Sequence, residues 1–147
     1  MLVLRKFLLL SLLLSSSVMA QQIAASKQLE VFKSPYCGCC TKWIDHMRAN
    51  GFEVLAHNVR DVPAERERLG MPHELGSCHT AKVGGYLIEG HVPAADVKRL
   101  LSERPQALGL SVPSMPQGSP GMESPHPEPY ETLLVNHDGS TSVFARH

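Results

Sequence analysis

The sequence predicts a single α/β domain. Short runs such as Leu29-Glu30-Val31-Phe32-Lys33 alternate apolar and polar residues, as half-buried strands do. Segments with helical spacing lie between these runs, and the order strand, helix, strand, helix favours a layered α/β unit over a bundle. The length of 147 residues leaves room for one ordinary domain. Its 14 basic and 14 acidic side chains give no composition-level case for a nucleic-acid surface.

Residues 1–20 read as a secretory signal peptide. Arg5 and Lys6 precede the run Phe7-Leu8-Leu9-Leu10-Ser11-Leu12-Leu13-Leu14, and Val18-Met19-Ala20 supplies a processing site with cleavage expected after Ala20. The apolar stretch is only about 12 residues where a membrane span needs roughly 20, so no stable membrane span is expected after removal of the signal. The expected organisation is the signal peptide at 1–20, a polar leader at 21–28 and one domain at 29–147. The exported part carries 12 basic and 14 acidic side chains and is weakly acidic. A chain of that size buries a core without depending on disulfides.

Within the domain, the first strand is expected at 29–33 and is broken by Ser34-Pro35. Residues 41–50 form a helix with Trp43, Ile44 and Met47 on one face and Asn50-Gly51 as the stop. A second strand follows at 52–58, then a short helix from Asp61 through Leu69, with Pro63 in its first turn. Gly70-Met71-Pro72 loops toward Cys78. Residues 80–83 and 86–89 read as two strands joined by Gly84-Gly85. The helix at 94–103 presents Ala94, Val97, Leu100 and Leu101 as an apolar stripe and ends before Pro105. Residues 109–129 hold six prolines, three glycines and four serines, a composition that predicts a long irregular loop. A loop of that length in a compact domain implies either disorder or a site that it covers. Strands at 130–135 and 140–145, around Asn136-His137-Asp138-Gly139, close the chain as a hairpin.

The cysteines carry the chemistry. Three of the four crowd into Cys37-Gly38-Cys39-Cys40 at the junction from strand to helix, and Cys78 follows far downstream. Export permits disulfides, and Cys37 and Cys40 have the C-x-x-C spacing of two thiols on a helix's first turn. There the unpaired backbone N–H groups favour thiolate. Three readings stay open for this pair: a static disulfide, catalytic dithiol exchange, and metal ligation. Cys39 tilts the balance toward metal, because a disulfide consumes two thiols and leaves a third soft donor beside them. Four sulfurs, with Cys78 brought close, suit Cu(I), zinc or a polynuclear thiolate centre, and spacing alone does not select among them. His79 adjoins Cys78 as a further ligand candidate, and Met115 and Met122 are soft donors in the irregular loop. His46 reads as a surface residue of the first helix. His91, His126, His137 and His147 show no ligand-like spacing.

Other chemistries find no motif. The glycines form neither a dinucleotide fingerprint nor a phosphate loop, and H-E-x-x-H is absent. Ser77-Cys78-His79 places nucleophiles beside a histidine, yet a triad must meet in space rather than in sequence.

Several blocks of the chain resemble the DUF411 metal-binding family of bacteria. They are Lys33-Ser34-Pro35-Tyr36-Cys37-Gly38-Cys39-Cys40 with Trp43, Met71-Pro72, Leu75-Gly76-Ser77-Cys78-His79-Thr80-Ala81, Gly84-Gly85-Tyr86, and Glu89-Gly90-His91-Val92-Pro93-Ala94. The likeness continues through Gly109-Leu110, Met115-Pro116, Gly118-Ser119-Pro120-Gly121-Met122-Glu123 and the final hairpin. The resemblance implies a thioredoxin-like domain with the long loop as a decoration. It implies that Cys37, Cys39, Cys40 and Cys78 collect copper, as Cu(I) ahead of zinc, in a thiolate-rich cluster. It further implies a periplasmic role in copper resistance, with copper ions and another periplasmic copper carrier or exporter as partners and with interconversion of Cu(I) and Cu(II) as an added expectation. If the site is redox-active, Cys37 and Cys40 are the reacting pair. The alternative function is a thiol-disulfide oxidoreductase using those two residues.

Overall fold

Strand β1, Gln28–Lys33, buries Leu29, Val31 and Phe32, and the alternation seen in the sequence is the side-to-side pleat of a strand inside a sheet. A computed structural model describes residues 28–147; the signal peptide and leader, apart from Gln28, lie outside the described residues. After β1 come helix α1 (Gly38–Ala49), β2 (Glu53–Asn58), α2 (Val62–Leu69), a 3-10 turn at His73–Leu75, β3 (His79–Val83) and β4 (Tyr86–Gly90). Helix α3 (Ala94–Glu103) then leads to β5 (Gly109–Val112), β6 (Glu131–Val135) and β7 (Thr141–Arg146). All seven strands form one mixed sheet in the order β2-β1-β3-β4-β5-β6-β7. The β1–β2 and β4–β5 pairs are parallel, each joined by a crossover helix, and the others are antiparallel.

The core lies where α1 and α3 meet the sheet. Trp43, Ile44 and Met47 of α1 pack with Leu29, Val31, Ile88, Val97, Leu100 and Leu110, all nearly or wholly buried. The indole N–H of Trp43 donates to the Val92 carbonyl at 2.9 Å, so its one polar group is satisfied inside that core. No helix among the described residues is long and apolar enough to cross a membrane.

Residues 109–112 are not part of the irregular loop; they form β5, a strand inside the sheet between β4 and β6, with all four residues buried. Prolines begin only at Pro113, and the loop composition masks the short apolar alternation of Leu110 and Val112 just ahead of them. Gly109 is required here because a Cβ at that position would lie 1.8 Å from the Leu87 carbonyl oxygen. The irregular segment therefore runs over residues 113–130.

Helix ends follow local chemistry. The Asp61 carboxylate accepts the Ala64 N–H at 3.0 Å and caps α2, which stops at Gly70 in the left-handed conformation (φ 91°). Helix α3 has no such cap of its own, because Pro93 precedes it. Its Ala94 N–H instead donates to His46 Nε2 at 3.1 Å. His46 is thus a half-buried bridge from α1 to α3 rather than the surface residue expected, and burial holds its pKa below the ordinary value.

Replacing His46 with alanine removes this cap and is expected to cost about 1 kcal/mol, read as a lower urea midpoint. The folded state disfavours protonated His46, so the unfolded chain takes up more protons below about pH 6.5 and stability falls as pH drops through that range. The His46→Ala variant should lose less stability than wild type between about pH 7 and pH 5. A parallel pair of pH profiles would contradict the cap.

Candidate metal centre

Sheet register gathers four chain segments at one edge. Lys33 pairs with His79, so the exit of β1 lies beside the entry of β3. Thr80 pairs with Glu89 and Gly90 with Val112, which brings the exits of β4 and β5 to the same edge. The segments leaving or entering there carry Cys37 to Cys40, Cys78-His79, His91, and the proline-rich strap at 113–130.

Cys37 is the N-cap of α1, and its Sγ accepts the Cys40 N–H at 3.3 Å. Cys37 and Cys40 are joined by a disulfide, with Cα atoms 5.3 Å apart, while Cys39 and Cys78 are free. Cys39 Sγ lies 3.4 Å from Cys37 Sγ and 3.7 Å from Cys78 Sγ, and Cys78 Sγ lies 3.4 Å from Cys40 Sγ. All four sulfurs fall within 4.8 Å of one another. Burial, with Cys39 beside it, pushes the Cys78 thiol up to about 12. A soft cation reverses that preference, because a coordinating thiol gives up its proton to the metal. The cluster therefore fits a thiophilic metal in its donor type, number and spacing.

Two histidines adjoin Cys78. His79 is wholly buried against the Trp43 ring, with Nδ1 3.4 Å from Cys78 Sγ, and Nε2 has no hydrogen-bond partner among the described residues. Burial first, and then the neighbouring His91, holds its pKa down to about 3, so the ring is neutral. His91 is also fully buried, and burial lowers its pKa. Its Nδ1 lies 2.8 Å from the Pro120 carbonyl, an acceptor only, so Nδ1 carries the proton. Nε2 then presents a lone pair 3.0 Å from Cys78 Sγ. A backbone carbonyl that fixes one nitrogen and frees the other is the usual preparation of a ligating imidazole. Cys78, His79 and His91 thus form a second potential donor set that shares Cys78 with the first.

The strap covers this edge. Gly121 (φ 88°) sits so close that a Cβ would come 2.7 Å from the Cys39 carbonyl oxygen and 2.9 Å from the Trp43 nitrogen. Glu123 accepts the Gly121 N–H at 2.7 Å, and its other oxygen is 3.9 Å from Lys42 of α1. Of the two expected soft donors in the strap, Met115 is largely exposed and Met122 is half-buried one residue after Gly121. His126 is exposed on the strap, and His147 bonds Asp96 at 3.0 Å through Nε2.

The family described as a protein of unknown function, DUF411, matches residues 75–122, the stretch that holds Cys78, His79, His91 and most of the strap. Two solved structures of the copper resistance protein CopG, Form 1 and Form 2, are each 44% identical to the chain and cover 82% of it. The chain spans 96% and 97% of those two proteins, with TM-scores of 0.77 and 0.78. This chain belongs to the DUF411 family. No curated protein sequence matches it.

His91 is the residue of this candidate centre that spacing along the sequence does not mark. It follows the C-terminal end of β4, and only the pairing of β3 with β4 turns its distance from Cys78 along the chain into 3.0 Å. Two signals were available: its place after a strand end, where open α/β sheets bind ligands, and its occurrence in the DUF411-like block Glu89 to Ala94.

Gly121→Ala tests the strap. The added methyl meets backbone on two sides in a left-handed conformation, so the strap must lift, at an expected cost of about 1–3 kcal/mol. Proteolysis between residues 113 and 130 and alkylation of Cys39 should both quicken several-fold. Unchanged rates would mean that the strap does not close on α1.

Proposed function

We propose that this is an exported copper-binding protein of copper resistance or homeostasis, working in the periplasm and taking Cu(I) on Cys37, Cys39, Cys40 and Cys78. One observation carries the reading: a third thiol, Cys39, lies 3.4 Å from one half of a C-x-x-C pair and 3.7 Å from Cys78, where dithiol exchange has no use for it. The 44% identity to CopG, named for copper resistance, supports copper as the cargo, and the signal-like residues 1–20 support export. Copper ions are the ligand, and another periplasmic copper carrier or exporter is the partner. A thioredoxin-like classification of the domain belongs to the same proposal, supported by the parallel β1–β2 pair, its crossover helix and the C-x-x-C at that helix's start.

The two donor sets extend the reading to valence change. Thiolates favour Cu(I), whereas the imidazoles of His79 and His91 also suit Cu(II). When Cys37 and Cys40 are reduced, two thiolates transfer one electron to each of two Cu(II) ions, giving two Cu(I) ions and the Cys37–Cys40 disulfide. The reverse step reduces the disulfide as two Cu(I) ions become Cu(II). The disulfide in the structure corresponds to the oxidised protein of this cycle. It also favours the second reading, a thiol-disulfide oxidoreductase using the same pair.

Anaerobic titration with Cu(I), followed by mass measurement and sulfur-edge spectroscopy, should give a Cu–S complex in the reduced protein. Its absence would sink the copper reading. Cys39→Ser separates the two functions: a copper site should lose stoichiometry or at least tenfold in affinity, while a dithiol enzyme should keep most of its disulfide-reducing rate. Full copper binding by Cys39→Ser, together with rapid reduction of a disulfide substrate by wild type, would favour the enzyme.

A further inference from the structure

Cys78 lies in no helix or strand. It follows the 3-10 turn at His73–Leu75 and precedes β3, so the residues around it must be held by other means. Glu89 Oε1 accepts the Ser77 N–H at 2.7 Å and the Arg66 Nε–H at 2.8 Å. A second arm of the same guanidinium donates to the Ser77 carbonyl at 2.5 Å. Both main-chain polar groups of Ser77 therefore end on one ion pair, whose members are 5% and 0% exposed. Gly76 makes room for this arrangement, since a Cβ there would lie 2.7 Å from the Arg66 guanidinium. The flanking backbone is tied as well: Ser111 Oγ–H donates to the Leu75 carbonyl at 2.9 Å, and the Ser114 N–H donates to the Gly76 carbonyl at 3.2 Å.

We propose that the buried Arg66–Glu89 pair is a positioning clamp for Cys78, setting its sulfur between the α1 cysteines and His91. The inference rests on the reading of Cys78 as a metal ligand. Arg66 comes from α2 and Glu89 from β4, two residues before His91, so the pair joins the Cys78 segment to the strand that presents the neighbouring imidazole. Stability alone does not account for it. Desolvating two charges costs so much that well-packed apolar residues of similar volume serve a core equally well or better. Apolar side chains cannot hold an N–H and a C=O of one neighbouring residue, and a guanidinium fork paired with a carboxylate does both.

The test replaces the pair as a unit, Arg66→Met with Glu89→Leu, which leaves no unpaired buried charge. Arg66→Lys is measured beside it; this variant keeps the charge pair but lacks the fork that reaches Glu89 and Ser77 together. Leu100→Ala, a core change on α3, serves as the control for general destabilisation. Near-UV circular dichroism establishes which variants fold. Cu(I) affinity by chelator competition should fall at least tenfold in the folded clamp variants and stay within about twofold of wild type in Leu100→Ala. In the copper-free protein, the rate of Cys78 alkylation relative to Cys39 should rise several-fold in the clamp variants alone. Wild-type copper affinity and wild-type Cys78 labelling in either folded clamp variant would overturn the clamp, as would equal changes in Leu100→Ala. If wild type itself takes no Cu(I), the copper reading fails, and the labelling ratio still decides the clamp.

Discussion

The antiparallel pairing that sets Lys33 opposite His79 determines whether the four-sulfur cluster exists at all, because it places the start of β3 beside the end of β1. Cys78 enters β3 and Cys37 to Cys40 leave β1, so one register brings together sulfurs that are distant along the chain. A slip of two residues would preserve which faces are buried yet move Cys78 by about 6–7 Å relative to the helix. The 3.4 and 3.7 Å contacts that Cys78 makes with Cys40 and Cys39 would not survive such a shift. Packing holds the register, since Val31 faces Ala81 across the pair, both fully enclosed, and a two-residue slip would set the larger Val83 or His79 opposite Val31 instead. Core packing and site geometry are therefore a single constraint.

The strap shows how an irregular segment becomes a defined surface. Prolines lack an N–H, so a proline-rich stretch asks the fold to satisfy few donors, and their fixed φ reduces the freedom lost on ordering. Several of the donors that remain are paired within the strap. Gly118 N–H reaches the Met122 carbonyl at 2.8 Å, Met122 N–H reaches the Ser119 carbonyl at 2.8 Å, and Gln117 N–H reaches the Glu128 carboxylate at 2.8 Å. The composition that rules out a ladder is thus also suited to a stiff cover. Its Pro120 carbonyl sets the tautomer of His91, which makes the strap part of the centre's electronic arrangement as well as its roof.

Much of the architecture was legible because period and punctuation agree. Helix α3 begins and ends where its apolar stripe and flanking prolines place it, and Gly84-Gly85 turns β3 into β4 with both residues at positive φ. β5 was not legible, since four residues are too few for a period and they abut a proline-rich run. The cysteine cluster stood out because three thiols in four positions are rarely accidental. His91 and the Arg66–Glu89 pair did not, because each acts through partners that only the folded sheet supplies. His46 was misjudged for the same reason: its spacing along α1 says nothing of an unpaired N–H on α3.

Charge explains how this end of the sheet can bury so many titratable side chains. An enclosed site cannot hold several bare thiolates or an unpaired imidazolium without a large desolvation cost. The disulfide removes two ionisable sulfurs, burial pushes the Cys78 thiol up to about 12, and His79 is held neutral with its pKa down at about 3. In the oxidised form these features keep charge off the Cys37–Cys40 pair, Cys78 and His79. A thiophilic cation entering the reduced site would exchange thiol protons for metal bonds, so that thiolates would form only as the positive charge arrives.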